Sequence, residues 1–188
     1  MQAARGASLN SSEPGDSPRT GTSGQPRLWS TFILVATALY VVDVTTKIVA
    51  VERLTGEGTV EVLGSWFGLH LTRNPGAAFS TGTSYTVLFS ILSIVAAGLV
   101  LHFSRRLGSR WWAVGLGALL AGILGNLTDR IFREPGPFRG HVIDFLQLPN
   151  WPIFNVADIC INVAAGVIIL QAVRGIGVDG TRHERSSR

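Results

Sequence analysis

Charged side chains are scarce in this chain of 188 residues. Only 15% are Asp, Glu, Lys or Arg, and lysine occurs once, as Lys47. A soluble domain usually carries about 25%. With 46% hydrophobic residues and a mean hydropathy of +0.33, the shortage excludes an ordinary soluble domain and points to the membrane class. Cysteine is equally scarce: Cys160 stands alone inside an apolar segment, which excludes an internal disulfide and any CxxC redox or zinc motif. The histidines, His70, His102, His141 and His183, are scattered without HExxH spacing, so neither a metal site nor another cofactor is expected. The net charge of +4 and pI of about 10.2 would suit nucleic acid. The arginines, however, flank the apolar runs rather than forming one face, so no nucleic-acid partner is expected.

What is present is four apolar runs, at about 28–50, 85–103, 111–132 and 153–173, each long enough to cross a bilayer. The third is rich in glycine and alanine, which suits close helix packing. Residues 1–26 are rich in Ser, Gly, Pro and Thr and read as a disordered tail, without the basic start and prompt apolar core of a secretory signal. Residues 27–174 form the four-span domain, and 175–188 a polar, basic tail. Within the first sizeable loop, 59–63 and 69–72 are rich in β-branched residues or alternate beside Gly64 and Gly68, so a small hairpin is expected. Arginines precede span one, join spans two and three (Arg105, Arg106, Arg110) and follow span four. By the positive-inside rule both termini are cytoplasmic. Trp29, Trp111 and Trp112 then lie at the inner interface, and Tyr85 and Trp151 at the outer one.

That topology brings Asp43, Lys47, Asn126, Asp129, Arg130, Asp144, Asn155 and Asp158 to one depth, near the outer leaflet. Ionisable groups there cost roughly 2.5–3.5 kcal/mol each on insertion scales and are functional candidates by default. Asp43 and Lys47, four apart, share a helix face and read as a buried ion pair or as one wall of a polar site. Asn126, Asp129 and Arg130 share a face of span three; Asn155, Asp158 and Asn162 make a similar stripe on span four. Arg130 beside Asp129 favours a salt-bridging role for that acid. Two carboxylates in a low-dielectric site tend to share a proton, one taking a proton from water while the other donates to a carbonyl. Interhelical salt bridges are the structural alternative. Other chemistries are a serine protease using Lys47 as base for a residue such as Ser80, and a proton-coupled carrier. The residues alone do not choose among the acids. The loop TRNPGAAFSTG (72–82) reads as a turn in which Gly76, Ala77 and Ala78 let a ligand approach the backbone.

Five blocks carry a resemblance over about 28–173: DVTTK (43–47), TRNPGAAFS (72–80), GNLTDR (125–130), HVIDF (141–145) and FNVADICIN (154–162). In this order and with this topology the chain resembles the lipoprotein signal peptidases, signal peptidase II, four-span aspartic proteases of bacterial cell membranes. The resemblance implies a four-transmembrane-helix bundle, mainly α, with a small extracytoplasmic β-hairpin or sheet. It implies cleavage of diacylglyceryl-modified prolipoproteins just before the lipidated cysteine, with lipidated signal peptides and membrane lipids as partners and a monomer as the expected state. The implied catalytic pair is Asp144 and Asp158. The supporting positions fall on Asp43, Lys47, Asn74, Gly76, Asn126, Asp129, Arg130 and Asn155. The connection between Arg130 and Asp144 is longer than usual for the family and contains Pro135 and Pro137.

Overall fold

A computed structural model describes residues 25–76 and 84–182; the first 24 residues, most of the TRNPGAAFSTG loop and the last six residues lie outside it. Among the described residues four helices are long and apolar enough to cross a membrane: α1 (Gln25–Leu54), α2 (Ser84–Ser104), α3 (Arg110–Phe132) and α4 (Val156–Val173). At about 1.5 Å per residue, the 30 residues of α1 are the longest rod and outreach a ~30 Å hydrocarbon core. α3 is central and packs on the other three. Its small residues allow this: a Cβ on Gly122 would lie 2.5 Å from the Ala157 carbonyl of α4. The beginning of α1, the end of α2, the start of α3 and the end of α4 meet in one apolar cluster around Phe32, Val100, Leu107 and Ala113.

At the opposite end lies an antiparallel sheet, ordered β1 (Val60–Glu61), β2 (Gly68–Asn74) and β3 (Val142–Gln147). The first two are the expected hairpin. β3 is an addition to it: Val142, Ile143, Asp144 and Phe145 are all buried, so the alternation that marks a half-exposed strand is absent. Its register sets Asp144 opposite Thr72 and Val142 opposite Asn74. Ile143 and Phe145 pack on Ala50 and Leu54 at the end of α1, which fixes the sheet to the bundle.

Two connections differ from expectation. Span four begins as a helix only at Val156, because Phe154 pairs with Leu146 (N to O, 3.0 Å) and Asn155 caps the helix. Residues 175–182, expected as part of a polar tail, fold back on the bundle. Gly177 N–H donates to Thr181 O (2.8 Å), Gly108 N–H to Val178 O (2.8 Å), and Trp112 Nε1–H to Ile176 O (2.9 Å).

Candidate active site

The acids, amides and cations singled out in the sequence meet at the sheet end of the bundle. α1 supplies Asp43 and Lys47, β2 Asn74, α3 Asn126, Asp129 and Arg130, β3 Asp144, and the start of α4 Asn155 and Asp158. Their contacts divide them into two groups.

The first group is an ion network. Lys47 is 1% exposed, and its Nζ lies 2.9 Å from Asp43 Oδ2, 2.9 Å from Asp129 Oδ2 and 3.0 Å from Asn126 Oδ1. Asn126 Oδ1 accepts a hydrogen bond from this ammonium, and the two carboxylate oxygens are its ion-pair partners. Asp43 Oδ1 accepts from the Ala157 N–H (2.7 Å) at the start of α4, where unpaired backbone donors favour a carboxylate. Asp129 accepts from the backbone of Ile143 (3.2 Å) through Oδ2 and from Arg133 Nε through Oδ1. Two acids and two cations thus balance, and both oxygens of Asp129 are occupied. The expected partner of Asp129, Arg130, faces elsewhere. Its guanidinium lies over Phe89, 5.8 Å from the ring centroid, and Nη1 donates to Asn126 O at 3.4 Å. Arg133 was missed in the sequence, although its i+4 spacing from Asp129 is a usable signal.

The second group holds Asp144 and Asp158 around shared amides. Asp144, 2% exposed, accepts from Asn155 Nδ2 through Oδ1 (2.6 Å) and from Asn74 Nδ2 through Oδ2 (2.9 Å). Asp158 is half-buried and accepts from Asn126 Nδ2 through Oδ1 (2.9 Å) and from the Asn155 backbone N–H through Oδ2 (3.2 Å). The Asp158 N–H donates in turn to Asn155 Oδ1 (3.0 Å), which completes a capping box. Asn155 is therefore bonded to both acids while fully buried, and its Nδ2 also reaches Asn126 Oδ1 (3.2 Å). Asn162 is exposed and donates to the Asp158 carbonyl (2.9 Å). Burial pushes the Asp144 carboxyl up to about 6. The Asn74 hydrogen bond opposes this, the Asp158 charge adds to it, and Asn155 and Lys47 oppose it.

Gly76 lies at the edge of this cluster. Its N–H donates to Asn74 Oδ1 (2.9 Å), its φ is +103°, and a Cβ there would stand 2.8 Å from Phe89 Cδ2. A side chain at Gly76 would therefore collide with the Phe89 ring. Ala77, Ala78 and Ser80 fall outside the described residues. Among the described residues no group of three or more His, Cys, Asp or Glu side chains is arranged to hold a metal ion.

Gly125 makes the ion network possible, since a Cβ there would lie 2.3 Å from Asp43 Oδ2. Gly125→Ala is expected to displace Asp43 from Lys47 and to destabilise the fold by about 1–3 kcal/mol, the usual cost of overpacking. A thermal melt of the purified protein in detergent checks this, and an unchanged midpoint would contradict it.

Comparison with known proteins agrees with this architecture. A family model described as "Signal peptidase (SPase) II" matches residues 35–174, a range that contains the whole cluster. The chain is 43% identical over 179 residues to the lipoprotein signal peptidase of Leifsonia xyli subsp. xyli, covering 95% of this chain and 83% of that one. Against the lipoprotein signal peptidase of Mycobacterium tuberculosis (strain ATCC 25618 / H37Rv) identity is 41% over 176 residues, covering 91% and 86%. Among solved structures, a bacterial membrane enzyme determined by the in meso method at 1.9 Å resolution aligns with a TM-score of 0.68 at 26% identity, over 77% of this chain and 94% of that one. With a family match over most of the chain and relatives above 40% identity along nearly all of it, the chain belongs to the signal peptidase II family.

Proposed function

We propose that the chain is an aspartic endopeptidase of the bacterial cell membrane. It removes the signal peptide from diacylglyceryl-modified prolipoproteins by cutting just before the lipidated cysteine, and it works as a monomer with no metal. The observation that carries this reading is the pair Asp144 and Asp158, joined through one buried asparagine, Asn155, at the sheet end of a four-helix bundle. Family membership supports the substrate, and the carboxylate pair supports the chemistry. The arginines at the other end support cytoplasmic termini and a site near the outer leaflet.

Asp144, with its raised carboxyl, is the member that holds the shared proton; Asp158, half-exposed, is the one that water reaches. In the proposed reaction a water molecule loses a proton to Asp158 as its oxygen bonds to the scissile carbonyl carbon. Asp144 gives its proton to the carbonyl oxygen, forming a gem-diol. Collapse of the diol returns a proton to Asp144, passes the proton on Asp158 to the amide nitrogen and breaks the C–N bond. Asn74, Asn126 and Asn155 hold the two carboxyls in place, while Asp43, Lys47 and Asp129 tie together the helices and strand that carry them. A serine/lysine protease fits less well, because the buried Lys47 ammonium is ion-paired with both Asp43 and Asp129.

The test uses the purified protein in phospholipid nanodiscs with one prolipoprotein, supplied with and without its diacylglyceryl group. Cleavage is expected only of the lipidated form, unchanged by EDTA, with a product that begins at the modified cysteine by mass spectrometry. Equal cleavage of the unlipidated form, or a cut elsewhere, would overturn the reading.

A further inference from the structure

α2 contributes no residue to the ion network or to the carboxylate pair. Most of its surface, including Leu88, Ile91, Leu92, Val95 and Leu99, is exposed and apolar, as suits a helix facing lipid. Two of its hydroxyls break that pattern. Thr86 is 1% exposed and Ser90 fully buried, one turn apart on the same face. The Thr86 hydroxyl donates to Pro75 O at 2.5 Å. Ser90 Oγ lies 2.8 Å from Phe138 O and 2.9 Å from Thr86 O, so its single proton is shared between them. Phe89, between the two, lies under the Arg130 guanidinium and fills the space a Cβ on Gly76 would need. α2 thus grips the loop after β2 and the long connection after α3.

The Thr86 bond leads to the carboxylate pair in a short chain of contacts. Pro75 is the centre of the turn Asn74-Pro75-Gly76. Within that turn the Gly76 N–H donates to Asn74 Oδ1 (2.9 Å). This fixes which end of the amide is the acceptor, so that Nδ2 must be the group facing Asp144 Oδ2 (2.9 Å). Pro75 has no N–H of its own, and Gly76 at φ +103° adds no side chain to brace the turn. The Thr86 hydroxyl on the Pro75 carbonyl ties the turn to α2.

We propose that the Thr86 hydroxyl is a positioning residue for the reaction: by anchoring Pro75 O it sets the Asn74 amide against Asp144. This rests on the reading of Asp144 as a member of the catalytic pair. Thr86 touches neither the carboxyls nor the substrate and acts entirely through Asn74. Its removal leaves the charges around Asp144 in place. These are Asp158 from α4, Lys47 from α1 and Arg130 from α3, with Asp129 on the neighbouring Ile143 N–H. What changes is the Asn74 bond, which favours the ionised form of Asp144. A loosened Asn74 therefore makes Asp144 keep its proton to higher pH.

The test compares Thr86→Val, nearly isosteric but lacking the donor, with Thr86→Ser, which keeps it. Thr86→Val is expected to lower kcat about tenfold with a smaller change in KM, and to move the alkaline limb of the pH–rate profile upward. Thr86→Ser is expected to restore both. In an Asn74→Ala background, Thr86→Val is expected to add little, because the two act in series. Thr86→Ala also lacks the hydroxyl and serves as the second variant where Thr86→Val does not fold. Wild-type kcat and pH midpoint in either folded variant would overturn the proposal, as would full additivity with Asn74→Ala. Asp144→Asn, run alongside, separates the two ideas. If it retains activity, the catalytic reading falls; if it is inactive while Thr86→Val behaves as wild type, only the positioning role falls.

Discussion

Lys47→Met is expected to destabilise the protein by about 3–5 kcal/mol, the cost of leaving buried charge without its partner. The side chain is 1% exposed and contacts Asp43 Oδ2, Asp129 Oδ2 and Asn126 Oδ1 at 2.9–3.0 Å. Methionine fills much of the same space but supplies no positive charge, so the volume is kept and the electrostatics are lost. Asp129 retains Arg133, and Asp43 retains the Ala157 N–H; neither replaces a fully buried ammonium. Because the charge of Asp43 is the uncompensated one, adding Asp43→Asn to Lys47→Met is expected to recover part of the lost stability. Thermal melts of the single and double variants in detergent, at matched pH, check this. A Lys47→Met protein that melts with the wild type would mean the network is not what joins α1 to α3.

How much of this was legible in the sequence depends on the range of the interaction concerned. The spans are written in local composition, and their ends fall within a few residues of those expected, because a run of apolar side chains needs no partner to be recognised. Asp43 and Lys47 were placed together by helical spacing alone, and the ion pair is there. The polar ends of spans one, three and four converge because antiparallel topology puts them at the same end. Interactions over longer ranges were harder to read. β3 looks like an apolar stretch with one acid, because burial on both faces erases alternation and only pairing with β2 shows it to be a strand. Arg130, next to Asp129 in the chain, faces Phe89, whereas Lys47, 82 positions away, reaches the acid. The connection after α3 is longer than usual for the family and contains Pro135 and Pro137. It is tied down by Gly140 N–H to Arg130 O (3.0 Å), His141 N–H to Glu134 O (3.0 Å) and Ser90 Oγ to Phe138 O (2.8 Å). Nothing in its own residues announces the last of these.

Asp144 and Asp158, the pair that the resemblance implies, differ from Asp129 in the donors around them. All three are carboxylates at one depth, and composition treats them alike. Asp129 has cations on both oxygens. Among the described residues, the hydrogen-bond donors to Asp144 and Asp158 are neutral amide or backbone N–H groups. A carboxyl held by neutral donors can exchange protons during turnover without abandoning an ion pair; one clamped between cations cannot do so cheaply. Asp129→Asn is thus expected to act as a structural lesion, whereas Asp144→Asn and Asp158→Asn would remove the groups that move protons in the proposed reaction. Each of the latter two is expected to lower kcat by about 10²–10⁴-fold, the usual contribution of a positioned acid or base.

The proton inventory also sets a pH dependence. If Asp144 must carry the proton, kcat/KM falls as pH rises through the carboxyl's value of about 6 in the free protein. The alkaline limb of kcat lies higher, because bound peptide excludes water and favours the neutral form further.

The most direct test of the central claim is turnover of a lipidated prolipoprotein by wild type, Asp144→Asn and Asp158→Asn in the same nanodiscs, with thermal melts to show that each variant is folded. The account predicts that both folded variants lose cleavage by at least about 100-fold. Wild-type cleavage by either one would contradict it.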